Sequence, residues 1–365
     1  MKPGSTVPRW GAAIIWAGGL VLIAASLLPL IPTDAGWIRI LDFPRLQFAG
    51  LLVLLTGAAL LLLPLRRAAT WGLLVALVGA VGLQASRIWL YTPLHPTQAG
   101  SAEGCEPSRR LSVVVVNLQE SNRGADAFLD LVRRVNPDVV FVVEVDGRWE
   151  EALRPLEEDF PEHHLHPRDD AWGLALYSRL PLVEPEVMHL LSSYVPSIRT
   201  GIRLRDGTTI AFHGLHPKPL TLSRSTAERD AELLLAAQAV REDGIPAIVA
   251  GDMNDVTWSN VTWLFQRLGG LLDPRVGRGL FTTFNAELPG FLQWPLDHIF
   301  FTSEFALIQV ERLEDVGSDH FPMFVALCHA AAPTAASHDT PHFRDQDMER
   351  AVEIIENGRR DARRD

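Results

Sequence analysis

The sequence predicts an α/β domain of two packed sheets with outer helices, preceded by three membrane-spanning helices. Three observations lead there. Uncharged runs dominate the first ninety residues: the 365-residue chain carries 44 acidic residues, yet only Asp34 and Asp42 fall before residue 100. Beyond residue 110 the pattern changes to β-branched runs interspersed with helical spacing. Several of those runs end in Asn, Glu, Asp or His. With 47% hydrophobic and 21% charged positions, burial can offset ordering entropy, which excludes disorder throughout. Two cysteines exclude a small disulfide scaffold.

Residues 1–91 read as the membrane section. Residues 11–31 carry no charge and suffice to cross a hydrocarbon core of about 30 Å as a helix. Residues 46–63 form a second uncharged run, and residues 70–86 a third, interrupted only by Gln84. Trp10, Trp16, Trp37, Trp71 and Trp89 lie mostly near their ends, which favours membrane spans over buried helices of a soluble bundle. A cleaved signal peptide accounts for the first run but not for the other two. Lys2, Arg9, Arg66 and Arg67 flank one set of ends; Arg39 and Arg45, accompanied by Asp34 and Asp42, flank the other. The positive-inside tendency then puts the N-terminus in the cytoplasm and the soluble section on the outer face of the cell membrane, with Arg87 counting mildly against.

Residues 92–110, rich in Pro, Gly, Ser and Thr, read as a linker. The soluble domain follows at 111–328. Strands are expected at 111–117, 139–143, 173–177, 208–213, 245–250, 296–301 and 323–327, and helices at 125–135 and 225–241. His163, His164 and His166 suggest a metal cluster, but they sit among Pro161, Pro167, Asp169 and Asp170, a composition that reads rather as a solvated loop. Residues 329–365 read as a flexible tail, Ala/Pro/Ser/Thr-rich over 331–339, with a charged helix near 345–360 that packs weakly or stays solvated. Residues 101–330 hold 34 acidic and 20 basic residues, a balance of −14 that lowers the case for a duplex-binding protein.

Polar strand ends carry the chemistry. Val-Val-Val-Val runs into Asn117, Val-Phe-Val-Val into Glu144, and Ile-Ala-Phe-His-Gly-Leu into His216. Ile-Val-Ala-Gly leads to Asp252 and Asn254, two residues apart and therefore on one side of an extended segment. Leu296-Asp297-His298 opens one strand and Ser318-Asp319-His320 precedes the last. Hard oxygen donors with two imidazoles at one sheet edge suit Mg²⁺ or Mn²⁺ and acid–base chemistry.

This ordered set resembles the endonuclease/exonuclease/phosphatase superfamily, across about residues 111–327. The segments are Asn117, Pro137-Asp-Val-Val to Glu144, Gly173-Leu-Ala-Leu-Tyr-Ser178-Arg, His216-Pro, Gly251-Asp-Met-Asn254, Leu296-Asp-His298 and Ser318-Asp-His320. The resemblance implies a four-layered α/β sandwich and Mg²⁺-dependent phosphoester hydrolysis, with Mn²⁺ as the other candidate cation. It implies Asn117, Glu144 and Asp319 as metal ligands. It implies Asp252 and Asn254 as the pair handling the nucleophilic water and phosphate, and His320 as the base-like histidine oriented by Asp297. His216 becomes the second histidine, contacting phosphate or assisting the leaving group. Gln119 stands where many apurinic endonucleases carry an acid, which argues against a base-excision role. In this superfamily the first and last strands are antiparallel neighbours, which would let Cys105 and Cys328 meet in a disulfide; two unrelated thiols are the other reading.

The expected protein is therefore a membrane-anchored phosphoester hydrolase. Its partners are the bilayer and a phosphoester, whether nucleic acid, lipid head group or small phosphodiester; no protein partner is evident. Lys218, after His216-Pro, is equally a phosphate contact or a surface lysine, and Arg229 reaches the strand ends or stays solvated. The rival class is a non-catalytic membrane scaffold keeping only the fold. Retention of Glu144, Asp252, Asn254, Asp297, Asp319 and His320 together speaks against it.

Overall fold

The computed structural model describes residues 8–102, 104–329 and 341–364, in two compact units. The first unit contains α1 (Arg9–Leu27), a single turn α2 (Gly36–Arg39), α3 (Arg45–Leu62) and α4 (Ala68–Ile88). Among them are three helices long and apolar enough to cross a membrane. Ile15, Leu52, Ala59, Leu73 and Leu77 pack between α1, α3 and α4. Leu54, Leu61 and Val75 point outward, 70% or more exposed, so large apolar side chains cover the outer surface of this bundle. Such a surface suits lipid rather than water.

One polar cluster interrupts this apolar unit. Asp42 pairs with Arg39 at 2.8 Å and with Arg45, and all three are buried. Arg45 donates to Gln84 Oε1 at 3.0 Å, and Gln84 donates to the Ser26 hydroxyl at 2.9 Å. Both arginines between the first two spans are thus committed to a buried carboxylate, which leaves Arg66 and Arg67 as the exposed basic pair among the described loops. Lys2 lies outside the described residues.

The second unit is built from β1 (Arg110–Asn117), α5 (Ala125–Val135), β2 (Val139–Val143), α6 (Gly147–Leu153), β3 (Glu162–His166), β4 (Leu174–Ser178), β5 (Leu182–Met188), β6 (Ser197–Arg203), β7 (Thr209–Leu215), α7 (Ala227–Asp243), β8 (Ala247–Asp252), α8 (Asn260–Gly269), β9 (Leu271–Leu272), β10 (Asp297–Thr302), β11 (Phe305–Arg312), β12 (Met323–His329) and α9 (Asp345–Ala362). Two six-stranded sheets result, ordered β11-β12-β1-β2-β4-β3 and β5-β6-β7-β8-β10-β9. Strand alternation explains the layers. Val113 and Val115 of β1 and Phe141 of β2 face Phe212, Ile248 and Phe301 of the other sheet in the central core. Val114, Val116 and Val142 face outward onto Phe128 and Val132 of α5 and Trp149 of α6. On the opposite side Val249 and Phe300 meet Leu234 of α7 and Phe265 of α8. Helices, sheet, sheet, helices: the fold is a four-layered α/β sandwich.

Several elements escape the sequence reading. The segment bearing His163, His164 and His166 is not a loop but the edge strand β3, paired with β4. Strands β5, β6 and β11 and helices α6 and α8 also form where no periodic signal announced them. The C-terminal helix α9 docks: Ala351 and Ile355 are buried against α7 and α8, and Arg267 grips Asp347 through two hydrogen bonds of 2.8 and 2.9 Å. Residues 331–339 lie outside the described residues.

Strands β1 and β12 are antiparallel neighbours, with Arg110 opposite Cys328. That register brings Cys105 and Cys328 together in a disulfide, Cα atoms 5.9 Å apart and 223 residues apart in sequence. The bridge links the entry of the second unit to its last strand. Constraining so long a loop in the unfolded chain stabilises the fold by about 2–4 kcal/mol. Replacing either cysteine by Ser is expected to lower the unfolding midpoint correspondingly, and non-reducing peptide mapping of the parent should recover the cross-linked peptide.

Candidate active site

Strands β1, β2, β8 and β10 lie side by side in the two facing sheets, and their polar ends meet at one edge. Asp252, closing β8, is 1% exposed. Asn117 Nδ2, from the end of β1, donates to its Oδ2 at 3.1 Å, and the Asn254 backbone N–H donates to Oδ1 at 3.0 Å. His216 Nε2 lies 3.9 Å and His320 Nε2 3.6 Å from the same Oδ2. Burial pushes the Asp252 carboxyl above the usual range; Asp297 adds to this while the two histidines oppose it.

The local backbone explains why these side chains converge. Gly251 has φ +144°, and a Cβ there would stand 1.9 Å from the Leu215 carbonyl oxygen, so only glycine lets β8 run this close to β7. Glu144, Asn254 and Gln119 adopt left-handed φ of 61°, 51° and 57° just where β2, β8 and β1 end. Each such residue costs of order 1 kcal/mol, a cost that clusters at sites where side-chain placement matters.

His320 and Asp297 form a tight pair, with Nδ1 donating to Asp297 Oδ2 at 2.7 Å. Burial works against a charged imidazole, but Asp297 and Asp252 outweigh it and push His320 up to about 10. Burial likewise opposes the Asp297 carboxylate, yet His320 and Thr283 hold it below the usual range. The Thr283 hydroxyl also accepts from the backbone of Leu296 and Asp297, and Phe284 packs 4.8 Å from the His320 ring. Asp252, Asp297 and His320 offer donor atoms within 4.8 Å of one another, a group that could hold a metal ion.

A second donor set lies beside the first. Asn117 Nδ2 donates to Glu144 Oε1 at 2.8 Å, and Glu144 Oε2 accepts from the Glu120 backbone at 3.1 Å. Ser318 donates to the Asn117 carbonyl at 2.7 Å and accepts from His320 N at 3.0 Å, fixing the Asp319 segment against the end of β1. Burial pushes the Asp319 carboxyl up, with Glu144 and Asp297 reinforcing and His320 opposing. Hard oxygen donors pressing like charge on like charge suit a divalent cation.

The remaining predicted residues also find places. Asn254 donates through Nδ2 to the Pro217 carbonyl at 3.0 Å. Arg229, 1% exposed, donates to the Asn254 carbonyl at 2.8 Å and pairs with Asp230 at 2.6 Å, so it buttresses the strand end rather than meeting solvent. Lys218 is bonded to Glu228 at 2.9 Å. Trp172, its ring tilted against that of His216 at 5.3 Å and edge-on to Tyr194, was not singled out from the sequence; its only signal is an aromatic directly before the Gly173 strand. Phe284 and Thr283 carried no signal at all.

A family model, the Endonuclease/Exonuclease/phosphatase family, matches residues 115–320. The chain belongs to this family. No curated protein matches. Among solved structures, a Bacteroides thetaiotaomicron endonuclease/exonuclease/phosphatase family protein is similar at 20% identity and TM-score 0.50, covering 61% of this chain and 96% of that one. A functionally unknown conserved protein from Enterococcus faecalis is similar at 15% identity and TM-score 0.50, covering 60% of this chain and 100% of that one. The human Nocturnin catalytic domain with bound sulfate matches at 17% identity and TM-score 0.48, over 61% and 94%. Identities this low speak to the fold alone. The endonuclease/exonuclease/phosphatase match spans all eight residues discussed above, from Asn117 to His320.

His298 is the exception among the motif histidines, because it does not face the site donors. Its Nε2 donates to the Asp255 carbonyl at 2.8 Å, and its Nδ1 accepts from Arg275 at 2.5 Å. Burial, aided by Arg275, pushes it down from 6.5 to about 3, so the folded chain keeps it neutral. Its contribution to stability is therefore present above pH 6.5 and is lost as pH falls through about 3. Thermal unfolding across that window should show a shallower acid loss in His298→Gln than in the parent; equal slopes would refute this account.

Proposed function

We propose that this chain is a membrane-anchored, divalent-metal-dependent phosphoester hydrolase. The observation that carries the reading is the buried His320–Asp297 pair facing Asp252 across 3.6 Å, with Asn117, Glu144 and Asp319 alongside. In this reading Asn117, Glu144 and Asp319 hold Mg²⁺, with Mn²⁺ as a substitute. A divalent cation bound there stabilises charge on the phosphoryl oxygens and lowers the proton affinity of His320. Asp297 holds the His320 ring through Nδ1, leaving Nε2 and the Asp252 carboxylate to take the proton of the attacking water. Asn254, oriented by its bond to Pro217 and by Arg229, contacts the phosphate. His216, whose Nε2 lies 3.9 Å from the same Asp252 oxygen, is suited to the phosphate or the leaving group.

The acidic balance of the soluble section favours a lipid head group or small phosphodiester over a nucleic-acid duplex, whose phosphates call for a basic face. Three apolar helices support tethering at a bilayer. The disulfide supports an oxidising compartment for the catalytic unit, on the periplasmic or extracellular side of the cell membrane. Pairing of Arg39 and Arg45 with Asp42 widens the basic excess at the proposed cytoplasmic ends.

Two outcomes follow. The full chain in detergent, assayed with Mg²⁺ against sphingomyelin, phosphoinositides, plasmid DNA and bis(4-nitrophenyl) phosphate, should hydrolyse at least one of them. EDTA should abolish the activity, and His320→Ala or Asp252→Ala should each slow it by about 10²–10⁴; full activity in EDTA refutes the metal. For topology, an alkaline phosphatase fused at the C-terminus should be active in intact cells, whereas a fusion folded only in the cytoplasm would reverse the orientation.

A further inference from the structure

His216 is the least explained member of the site. Its Nε2 faces Asp252, and one side of the ring rests near Trp172, but its Nδ1 has no hydrogen-bonding partner among the described residues. The residue is 4% exposed, so bulk water does not serve that nitrogen. Beside it lies a small, partly open pocket of about 10 Å³, lined by Ser197, Leu215, His216, Pro217 and Glu232 among others. Glu232, on α7, is 5% exposed, and its Oε1 likewise has no partner among the described residues. Two unpaired polar atoms on residues bordering one pocket are costly unless something bonds to both. A volume near 10 Å³ is the size that admits a single water, and two to four polar groups are what such a water needs. The Ser197 hydroxyl, which donates to the Met188 carbonyl at 3.4 Å, supplies a third polar group.

We propose that Glu232 is a positioning residue for His216, acting through one water held in this pocket between His216 Nδ1 and Glu232 Oε1. The inference rests on the reading of His216 as part of the hydrolytic site. An imidazole held by ring contacts alone can turn over and exchange nitrogen for carbon at the face that meets substrate. A bond at Nδ1 prevents this, and the group bonded to one ring nitrogen decides the protonation of the other. With Nδ1–H donating to the water, Nε2 keeps its place toward Asp252 and the substrate. Burial and the neighbouring Glu228 push Glu232 up to about 8, so near neutral pH it is largely an uncharged acid. That is why it tolerates this position, and why a carboxamide should replace it.

The test uses the full chain in detergent micelles, with ¹⁵N-histidine labelling and the His216 signal identified by its loss in His216→Ala. The parent and Glu232→Gln are expected to show one tautomer with Nδ1 protonated and a magnetisation-transfer peak from that proton to a bound water. Glu232→Met, of similar volume, should lose the peak and mix the tautomers. With bis(4-nitrophenyl) phosphate, Glu232→Met should lower kcat about 10–100-fold with KM changed less than about twofold, and Glu232→Gln should stay within about threefold. The double variant His216→Ala/Glu232→Met should be no slower than His216→Ala alone, because Glu232 acts through that ring. No water peak in the parent, an unchanged tautomer in Glu232→Met, or equal slowing in both His216 backgrounds would overturn the proposal. The spectra need neither metal nor substrate. A parent without hydrolytic activity would therefore count against the enzyme reading alone, while the tautomer still decides the role of Glu232.

Discussion

The second unit is organised around one desolvated carboxylate. Asp252 sits at 1% exposure with no arginine or lysine among the described residues bonded to it. A buried acid in that position must be satisfied by hydrogen bonds and by groups that can carry positive charge. The bonds come from Asn117 and the Asn254 backbone, and the facing imidazoles from His216 and His320. These four residues belong to the neighbourhoods of β1, β8, β7 and β12, which spread over both sheets. The requirement of one carboxylate thus ties together strand ends that the chain visits at widely separated positions.

That tie explains several local costs. Glu144, Gln119 and Asn254 hold left-handed backbone angles because an ordinary strand end would aim their side chains or amides elsewhere. Gly251 is required by the 1.9 Å approach of the Leu215 carbonyl. The aliphatic layers on either side of each sheet provide the rigidity that keeps these angles in place, since strands packed on both faces cannot slide by one residue without exposing their core side chains. The disulfide acts at the far end of the same strands, pinning the start of β1 to the end of β12.

Charge is distributed with comparable selectivity. In the helical unit a single buried Asp42 absorbs Arg39 and Arg45, while in the second unit Arg229 and Arg275 are buried as braces on Asn254 and His298. Arginine suits this work because its planar fork can satisfy two acceptors at once without losing its proton. Arg229 and Arg275 are therefore structural rather than surface cations, but Glu228, Asp230, Glu232, Asp252, Asp255, Asp273 and Asp297 are buried as well, so burial withdraws more acids than bases from the surface.

Local pattern by itself determined the three apolar helices, the strands β1, β2, β8, β10 and β12, and the polar residues that end them. Each depends on burial of neighbours in sequence, and a run such as Val-Val-Val-Val-Asn117 states both the strand and its anomaly. Edge strands were not legible. The half-exposed histidines of β3 and the short apolar content of β5 and β11 look like loop until a neighbouring strand supplies their hydrogen bonds. Other pairings across the chain belonged wholly to the tertiary structure: Arg267 with Asp347, Trp172 against His216, and Glu232 beside the same pocket as His216; for Cys105 and Cys328 the resemblance left a bridge and two separate thiols open, and the structure decided for the bridge. Sequence records which residues are polar or apolar, but whether a polar group is buried, and opposite what, is set only when distant segments close over it.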